Sequence, residues 1–138
     1  MTALVLDSEA LSLLARPSSD SAEVLAAAKA ATNVRRPVVV PAVVLAELYR
    51  GPARVAAVNS VLRRKQYALA VRDTDRSLAS LVGGVLHGAD TTSADMVDAH
   101  CVAVAVEHGG GVVITSDVAD LERLAAPYAN VHIASVHR

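Results

Sequence analysis

The alternation of short β-branched segments with longer helical segments constrains the fold more than any other feature of the sequence. Five stretches rich in valine, leucine and isoleucine have the length of strands, at residues 2–6, 37–40, 67–71, 112–115 and 131–136. Helical sequence separates each stretch from the next. Parallel strands need crossover connections of this kind, and helices usually supply them. We therefore predict an α/β fold with a mainly parallel, five-stranded sheet.

Capping residues set the predicted helix boundaries. Asp20 is predicted to cap the second helix, with Glu23 three residues later as its partner in a capping box. Asp73 or Thr74 is predicted to cap the helix that covers residues 77–87. These caps place helix starts between the predicted strands, as the alternating order requires.

Length and composition predict one domain with an aliphatic core. The chain has 138 residues, of which 53% are hydrophobic, and this length suits a single domain over residues 1–138. It contains no phenylalanine, no tryptophan and only three tyrosines. Proteins that bind single-stranded nucleic acid by stacking its bases need more aromatic side chains, so that class is disfavoured.

The single cysteine and the amino-terminal sequence indicate a reducing compartment. Cys101 is the only cysteine, which excludes an internal disulfide and a zinc site with several thiolates. We predict that it is a small buried apolar residue. Asp7 interrupts the only apolar amino-terminal stretch, and no apolar run approaches the length of a membrane span. We therefore expect a cytoplasmic protein without a membrane anchor.

Charge is unevenly distributed along the chain, although the net charge is only −1. Residues 50–76 contain seven basic and two acidic residues, whereas the rest of the chain contains six basic and twelve acidic residues. Such a stretch is either an ordinary solvated surface or a binding surface for phosphate groups. If it binds RNA, the predicted contacts are Arg50, Arg54, Arg63 and Arg64.

Two of the predicted strands end on an aspartate. Asp7 follows the first strand in LVLDS, and Asp117 follows the fourth strand in VVITSD. Taken singly, each aspartate is better explained as a helix cap. The carboxyl ends of parallel strands, however, meet at one edge of a sheet, where open α/β folds bind ligands. If the two strands are neighbours, the two carboxylates lie side by side.

A third carboxylate, that of Glu47, is predicted to lie on an apolar helix face. Glu47 follows Val43 and Val44 by one turn, so the three side chains share one side of the helix. The alternative is a surface ion pair between Glu47 and Arg50, three residues later.

A fourth carboxylate, that of Asp98, is predicted to project toward the core or a cleft. Asp98 shares a helix face with Val102, whereas His100 lies on the opposite, outward side. Asp95 lies one turn before Asp98 on the same face, but its position three residues after Thr92 suits a capping box. His100 and His108 are predicted to be surface residues, and the other three histidines show no paired spacing, so no histidine is assigned a role.

Four carboxylates at one point require a compensating cation. With an effective dielectric near 20, two carboxylates ~5 Å apart repel each other by about 3 kcal/mol. No cluster of lysines lies in these segments to neutralise them. A hard divalent ion would do so, and an all-oxygen site favours Mg²⁺ or Mn²⁺ over zinc. The predicted ligands are Asp7, Glu47, Asp98 and Asp117.

Hydrolysis of a phosphodiester suits metal ions that carboxylates hold beside a basic surface, because the metal activates water and stabilises phosphoryl charge. A metal-dependent phosphatase or phosphoacceptor domain also ends its first strand on aspartate, but it usually needs a second aspartate two residues later or a lysine that ends a late strand. This chain has Glu9 at the first position, and its two lysines follow no predicted strand. A nucleotide-binding domain needs a glycine-rich turn after the first strand, which the chain lacks. The non-enzymatic alternative is an interaction domain whose acids are only caps and ion pairs.

The segments LVLDS, VVLAELYRG, DMVDAHCVAVA and VITSDVADL together resemble the PIN-domain ribonucleases. The short chain is similar to the VapC toxins of bacterial VapBC toxin–antitoxin pairs. The resemblance implies that the catalytic acids and metal ligands are Asp7, Glu47, Asp98 and Asp117. It also implies that Thr115 is a hydroxyl residue beside the metal site and that Asp120 is a further acid there.

The same resemblance implies a three-layer α/β/α sandwich and a homodimer. The implied activity is Mg²⁺-dependent cleavage of structured RNA, such as transfer or ribosomal RNA. The implied partner is a cognate VapB-like antitoxin that inhibits the enzyme. Because Asp95 and Asp98 lie within one helical turn, the third ligand could be either, and we place Asp95 in a supporting role with Thr115 and Asp120.

Overall fold

The computed structural model of the chain describes residues 2–16 and 21–136. Within these ranges the strands are β1 (Ala3–Leu6), β2 (Val38–Pro41), β3 (Leu69–Arg72), β4 (Gly111–Thr115) and β5 (Val131–Ser135). The helices are α1 (Ser8–Ala15), α2 (Ser21–Asn33), α3 (Ala42–Leu48), α4 (Pro52–Leu62), α5 (Arg76–Gly88), α6 (Met96–Glu107) and α7 (Val118–Ala125). A 3₁₀ turn at Ser93–Asp95 leads into α6.

The strands form one parallel sheet in the order β3-β2-β1-β4-β5. In the centre, Val5 of β1 is in register with Val39 of β2 on one side and Val113 of β4 on the other. The predicted five-stranded parallel sheet is confirmed. Asp7 and Asp117 follow the two neighbouring strands β1 and β4. They lie at the carboxyl edge of the sheet, the edge at which the parallel strands end. The opposite edge, where Ala3 and Gly111 begin these strands, is the amino edge.

Helices cover both faces of the sheet. On one face α1 packs against α2, α3 and α4, while on the other α6 lies across the central strands and packs against α5 and α7. The three-layer α/β/α sandwich is therefore confirmed. Helix α3 contacts both α1 and α6, so it joins the two helical layers.

The core is built from small aliphatic side chains. All four residues of β1 are buried, and α6 buries seven consecutive residues from Ala99 to Ala105. Cys101 lies among them with no exposed surface, as predicted for a small apolar residue. Tyr67 is the largest fully buried side chain among the described residues. Within the same ranges, no helix combines the length and the apolar character that a membrane span requires.

Two glycines pack tightly at the amino edge. A Cβ atom at Gly111 would lie 2.2 Å from the carbonyl oxygen of Ala3 on the neighbouring strand. Gly110 has a φ of +129°, and a Cβ atom there would lie 2.6 Å from the carbonyl oxygen of Asn130. These positions accept only glycine, because any side chain would push the strands apart.

One predicted cap is wrong and another falls outside the described residues. Helix α5 begins at Arg76 and is capped by Asp75, whose carboxylate accepts the backbone N–H of Leu78 at 2.8 Å, instead of by Asp73 or Thr74. Strand β3 extends to Arg72, so the cap lies one or two residues further along the chain than predicted. The predicted cap at Asp20 lies outside the described residues.

Candidate functional site

Asp7 is both a helix cap and part of the carboxyl edge. Its carboxylate accepts the backbone N–H of Ala10 at 2.9 Å, which caps α1, and its own N–H donates to the carbonyl of Ile114 on β4. Burial raises the pKa of Asp7, whereas hydrogen bonds from the Thr115 side chain and from Ala10 oppose that rise. The cap and the site are therefore compatible functions of one side chain.

Thr115 links the two strand-end aspartates. It is fully buried at the end of β4, and its hydroxyl oxygen accepts the backbone N–H of Asp117 at 2.9 Å. The same side chain hydrogen bonds with Asp7. The resemblance implied that Thr115 lies beside the metal site. In the structure, Thr115 lies between Asp7 and Asp117, two of the predicted ligands.

Asp117 begins α7 without capping it through its side chain. Its exposed carboxylate is directed to Asp120 instead, and this interaction, together with the charge of Asp117, raises the pKa of Asp120. Two carboxylates that share a hydrogen bond must also share a proton or a cation, because both ionised groups repel at that distance.

Asp98 lies where the acidic groups converge. Burial and, after it, the charges of four other aspartates together raise its pKa to about 6; the four are Asp7, Asp117, Asp120 and Asp95, in decreasing order of effect. The half-buried carboxylate forms no ion pair with any described residue. The helix position of Asp98 predicted a side chain that projects toward the core or a cleft, and the side chain is half-buried beside other acids.

The tightest carboxylate group comprises Asp95, Asp98 and Asp120. One oxygen from each lies within 4.8 Å of the other two, a spacing that allows a shared metal ion. This group contains one of the four predicted ligands and two residues that were predicted to support them. Asp7 and Asp117 act on Asp98 through their charges without belonging to this group.

Asp95 has partners that differ from the predicted capping box. Thr92 accepts the backbone N–H of Ala94 at 3.3 Å, but the Asp95 carboxylate accepts the Thr91 hydroxyl and one guanidinium nitrogen of Arg123 at 3.0 Å. These two donors, Thr91 first, lower the pKa of Asp95. The chain turns as a 3₁₀ helix here, which directs the carboxylate toward α7.

The sequence reasoning missed Arg123. This residue lies in the last turn of α7, three residues after Asp120, and its guanidinium is 3.8 Å from an oxygen of that aspartate. The i, i+3 spacing of Asp120 and Arg123 on one helix predicts an ion pair between them. No local pattern, however, indicates the contact with Asp95, which lies on a different helical segment.

Glu47 is exposed, not turned into an apolar helix face as expected. Helix α3 is only seven residues long and fully buries only Val44, and its exposed residues are Ala46 and Glu47. Arg50 donates from Nε to the carbonyl oxygen of Glu47 at 3.3 Å and forms no ion pair with its carboxylate. Burial raises the pKa of Cys101, and the charges of Asp7, Asp98 and Glu47 add to that rise, so Glu47 contributes to the same negative environment.

His100 is buried, and its predicted outward position is wrong. It is only 3% exposed, and its Nδ1 lies 2.7 Å from the carbonyl oxygen of Met96. Because α6 is enclosed by the sheet and by the neighbouring helices, both of its sides are internal. The hydrogen-bond partner of the His100 ring is a backbone carbonyl, so no role in the acidic site is assigned to His100.

The four arginines predicted to bind RNA have different surroundings. Arg50, Arg54 and Arg63 are exposed, whereas Arg64 is half-buried and donates to the carbonyl oxygen of Leu14 at 3.4 Å. That carbonyl lies at the carboxyl end of α1, where a positive charge is favourable. Arg64 therefore stabilises a helix end.

Another basic residue of the same stretch is also committed to a structural contact. Arg72 donates to Glu107 at 2.8 Å and to Asp75 at 3.2 Å, and these acids raise its pKa. The basic stretch is thus partly a set of structural ion pairs and partly an exposed surface.

Comparisons with known proteins identify the family. The sequence matches the PIN domain family over residues 4–127. The fold is similar to VapBC2 from Rickettsia felis bound to a DNA fragment from its promoter, with a TM-score of 0.65 and 13% identity over 97% of this chain and 98% of that chain. It is also similar to DNA-bound VapBC from Salmonella typhimurium, with a TM-score of 0.62 and 17% identity over 99% and 100% of the two chains. No curated protein matches the sequence. The chain belongs to the PIN domain family.

Proposed function

We propose that the protein is a metal-dependent endoribonuclease that hydrolyses a phosphodiester bond in structured RNA, such as transfer or ribosomal RNA. The observation that carries this proposal is the convergence of four other aspartates on the half-buried Asp98. PIN domains are generally nucleases, which agrees with such a site. An interaction domain has no need for acids that repel one another in a shared pocket.

The donor set fits a hard divalent cation. The carboxylates of Asp95, Asp98 and Asp120 supply oxygen atoms within 4.8 Å of one another, and no sulfur or imidazole belongs to that group. Such ligands select Mg²⁺ or Mn²⁺. Asp98 is common to this group and to the proposed ligand set, which is Asp7, Glu47, Asp98 and Asp117, and Asp95 and Asp120 would support that set from beside Asp98. When bound, the ion supplies Lewis acidity, which activates water and stabilises charge on the phosphoryl oxygens.

The surrounding residues hold the acids in place. Thr115 fixes Asp7 and Asp117 relative to each other through its hydroxyl group and the backbone N–H that it accepts. Asp95 is already engaged by Thr91 and Arg123, whereas Asp98 forms no ion pair within residues 2–16 and 21–136. This difference favours Asp98 over Asp95 as the third ligand.

The exposed arginines are the proposed RNA contacts. Arg50, Arg54 and Arg63 are exposed to solvent, so their guanidinium groups can neutralise the phosphates of a bound RNA. Arg64 is a proposed RNA contact as well, although its hydrogen bond to the end of α1 also gives it a structural function.

The partner proposed for this nuclease is a VapB-like antitoxin, and the proposed assembly contains a homodimer of the chain. Support comes from the two VapBC complexes of similar fold, each covered almost completely by this chain. As a toxin, the protein should arrest growth when expressed alone, and co-expression of its antitoxin should restore growth. Restoration without a complex between the two chains would contradict the proposed partnership.

The decisive experiment is induced expression of wild type and Asp98→Asn in a bacterial host, followed by sequencing of all new RNA 5′ ends. We expect discrete new ends with the wild type and none with the variant, because the variant removes one metal ligand while keeping the side-chain shape. Circular dichroism of both purified proteins provides the folding control. Identical 5′-end profiles from two folded proteins would reject the nuclease.

A further inference from the structure

A positively charged side chain already lies within the acidic group. One guanidinium nitrogen of Arg123 lies 3.0 Å from Oδ2 of Asp95 and 3.8 Å from Oδ1 of Asp120. These two aspartates are two of the three whose oxygens come within 4.8 Å of one another. The guanidinium therefore occupies space beside the position that a shared divalent ion would take.

The contact ties together segments that are distant in the chain. Oδ2 of Asp95 accepts both the Thr91 hydroxyl and Arg123, so the loop before the 3₁₀ turn, the turn itself and α7 meet at one oxygen atom. The arginine side chain is 45% exposed, so it can turn out to solvent at small cost. It is consequently a cation that holds the acids but can be displaced.

We propose that Arg123 is the internal counter-cation of the acidic group: it holds Asp95 and Asp120 in place before a divalent ion binds, and it weakens the binding of that ion. This inference rests on the proposed metal-dependent function. Its physical basis is that a guanidinium and a divalent ion held within the same acidic cluster repel each other. Arg123 is thus a positioning residue that sets the metal affinity of the site.

The test is Mn²⁺ binding to the purified full chain. Binding is measured as the loss of the electron paramagnetic resonance signal of the free ion. Arg123→Gln removes the charge but keeps hydrogen-bonding groups, and we expect its Kd for Mn²⁺ to be about tenfold lower than that of the wild type, which corresponds to about 1.4 kcal/mol. Arg123→Lys keeps the charge without the forked geometry, so its Kd should fall by about twofold to threefold.

Two further variants serve as controls. Arg36→Gln makes the same charge change at the amino edge, where the exposed side chain precedes β2, and salt screening over about 10 Å should leave its Kd unchanged. Asp98→Asn should lose Mn²⁺ binding both alone and combined with Arg123→Gln. Melting curves in EDTA show whether each variant folds, and if Arg123→Gln does not fold, Arg123→Lys alone decides the test.

The outcomes distinguish the counter-cation from the metal-dependent function on which it rests. Tighter binding in Arg123→Gln with an unchanged Arg36→Gln supports the counter-cation. An equal or higher Kd in Arg123→Gln, with the wild type still binding Mn²⁺, overturns the inference and leaves the metal-dependent function intact. Absence of binding by every variant overturns both.

Discussion

The amino edge and the carboxyl edge of the sheet differ in what their residues contribute to stability. At the amino edge, Gly111 allows β4 to approach Ala3 so closely that a single Cβ atom would clash with the backbone. At the carboxyl edge, Asp98 has a raised pKa because it is buried among other aspartates. One edge is shaped by packing alone, whereas the other keeps groups that repel one another. Substitutions should therefore lower stability at the first edge and raise it at the second.

The largest expected effect is that of Gly111→Ala at the amino edge. The added Cβ atom would lie 2.2 Å from the Ala3 carbonyl oxygen, so β1 and β4 must move apart. We expect a loss of roughly 3 kcal/mol in the free energy of unfolding, at the upper end for overpacking, because the obstacle is backbone. Urea unfolding measures this loss.

A glycine in open space provides the matched control. Gly83 lies in α5 with nothing within 4 Å of its would-be Cβ atom, so Gly83→Ala should stabilise the protein by about 0.5–1 kcal/mol. A similar change in stability for Gly83→Ala and Gly111→Ala would show that close packing does not distinguish the amino edge.

The second effect concerns metal binding at the carboxyl edge. At a Mn²⁺ concentration of about 100 times Kd, the wild type should gain about 2.7 kcal/mol in stability, because the ion binds only the folded chain. Asp98→Asn should gain much less. Melting temperatures with Mn²⁺ and with EDTA provide the measurement, and equal gains in both proteins would remove Asp98 from the metal site.

The third effect is the pH dependence of Asp98 without metal. The folded-state pKa of about 6 lies above the ordinary value of 3.8, so the proton is held more tightly in the folded protein. The stability that Asp98 contributes is therefore complete below about pH 4 and is lost as the pH rises through about 6. Asp98→Asn, always neutral, should be more stable than wild type at pH 7.5 by about 1 kcal/mol, after allowance for partial exposure.

Urea unfolding in EDTA at pH 4 and at pH 7.5 tests this difference. We expect the advantage of Asp98→Asn to vanish at pH 4. An advantage of the same size at both pH values would mean that the repulsion at the carboxyl edge does not come from the ionised Asp98.

The smallest effect concerns RNA binding. Arg54→Gln should weaken RNA binding by a few-fold and reduce the slope of log K against log salt by about 0.7–0.9, the contribution of one phosphate contact. Arg36→Gln at the amino edge is the control and should leave the slope unchanged. Equal slopes for Arg54→Gln and wild type would remove Arg54 from the RNA surface.

Much of the fold could be predicted because it depends on local patterns. The runs of valine and leucine around Val5, Val39 and Val113 identified the central strands, and the helices between them required a parallel sheet. The cap of α5 was misplaced because Asp73, Thr74 and Asp75 are all good caps, and only the observed end of β3 selects Asp75.

The site could be predicted only in part because it depends on contacts between distant segments. The positions of Asp7 and Asp117 followed from the ends of two strands, and that of Asp98 from its helix face. The burial of His100 did not follow, because it depends on how helices enclose α6 from both sides. The contact of Arg123 with Asp95 joins α7 to the turn before α6, and no sequence spacing specifies it.

The pairing of β1 with β4 has a consequence for synthesis of the chain. Asp7 leaves the ribosome early, but Thr115 and Asp117, which complete its surroundings, follow only after most of the other elements. Contacts between such distant residues form late, because a long loop must close first. A nascent chain therefore contains Asp7 before it contains Thr115 and Asp117. Any nuclease activity would begin only when the fourth strand inserts beside the first.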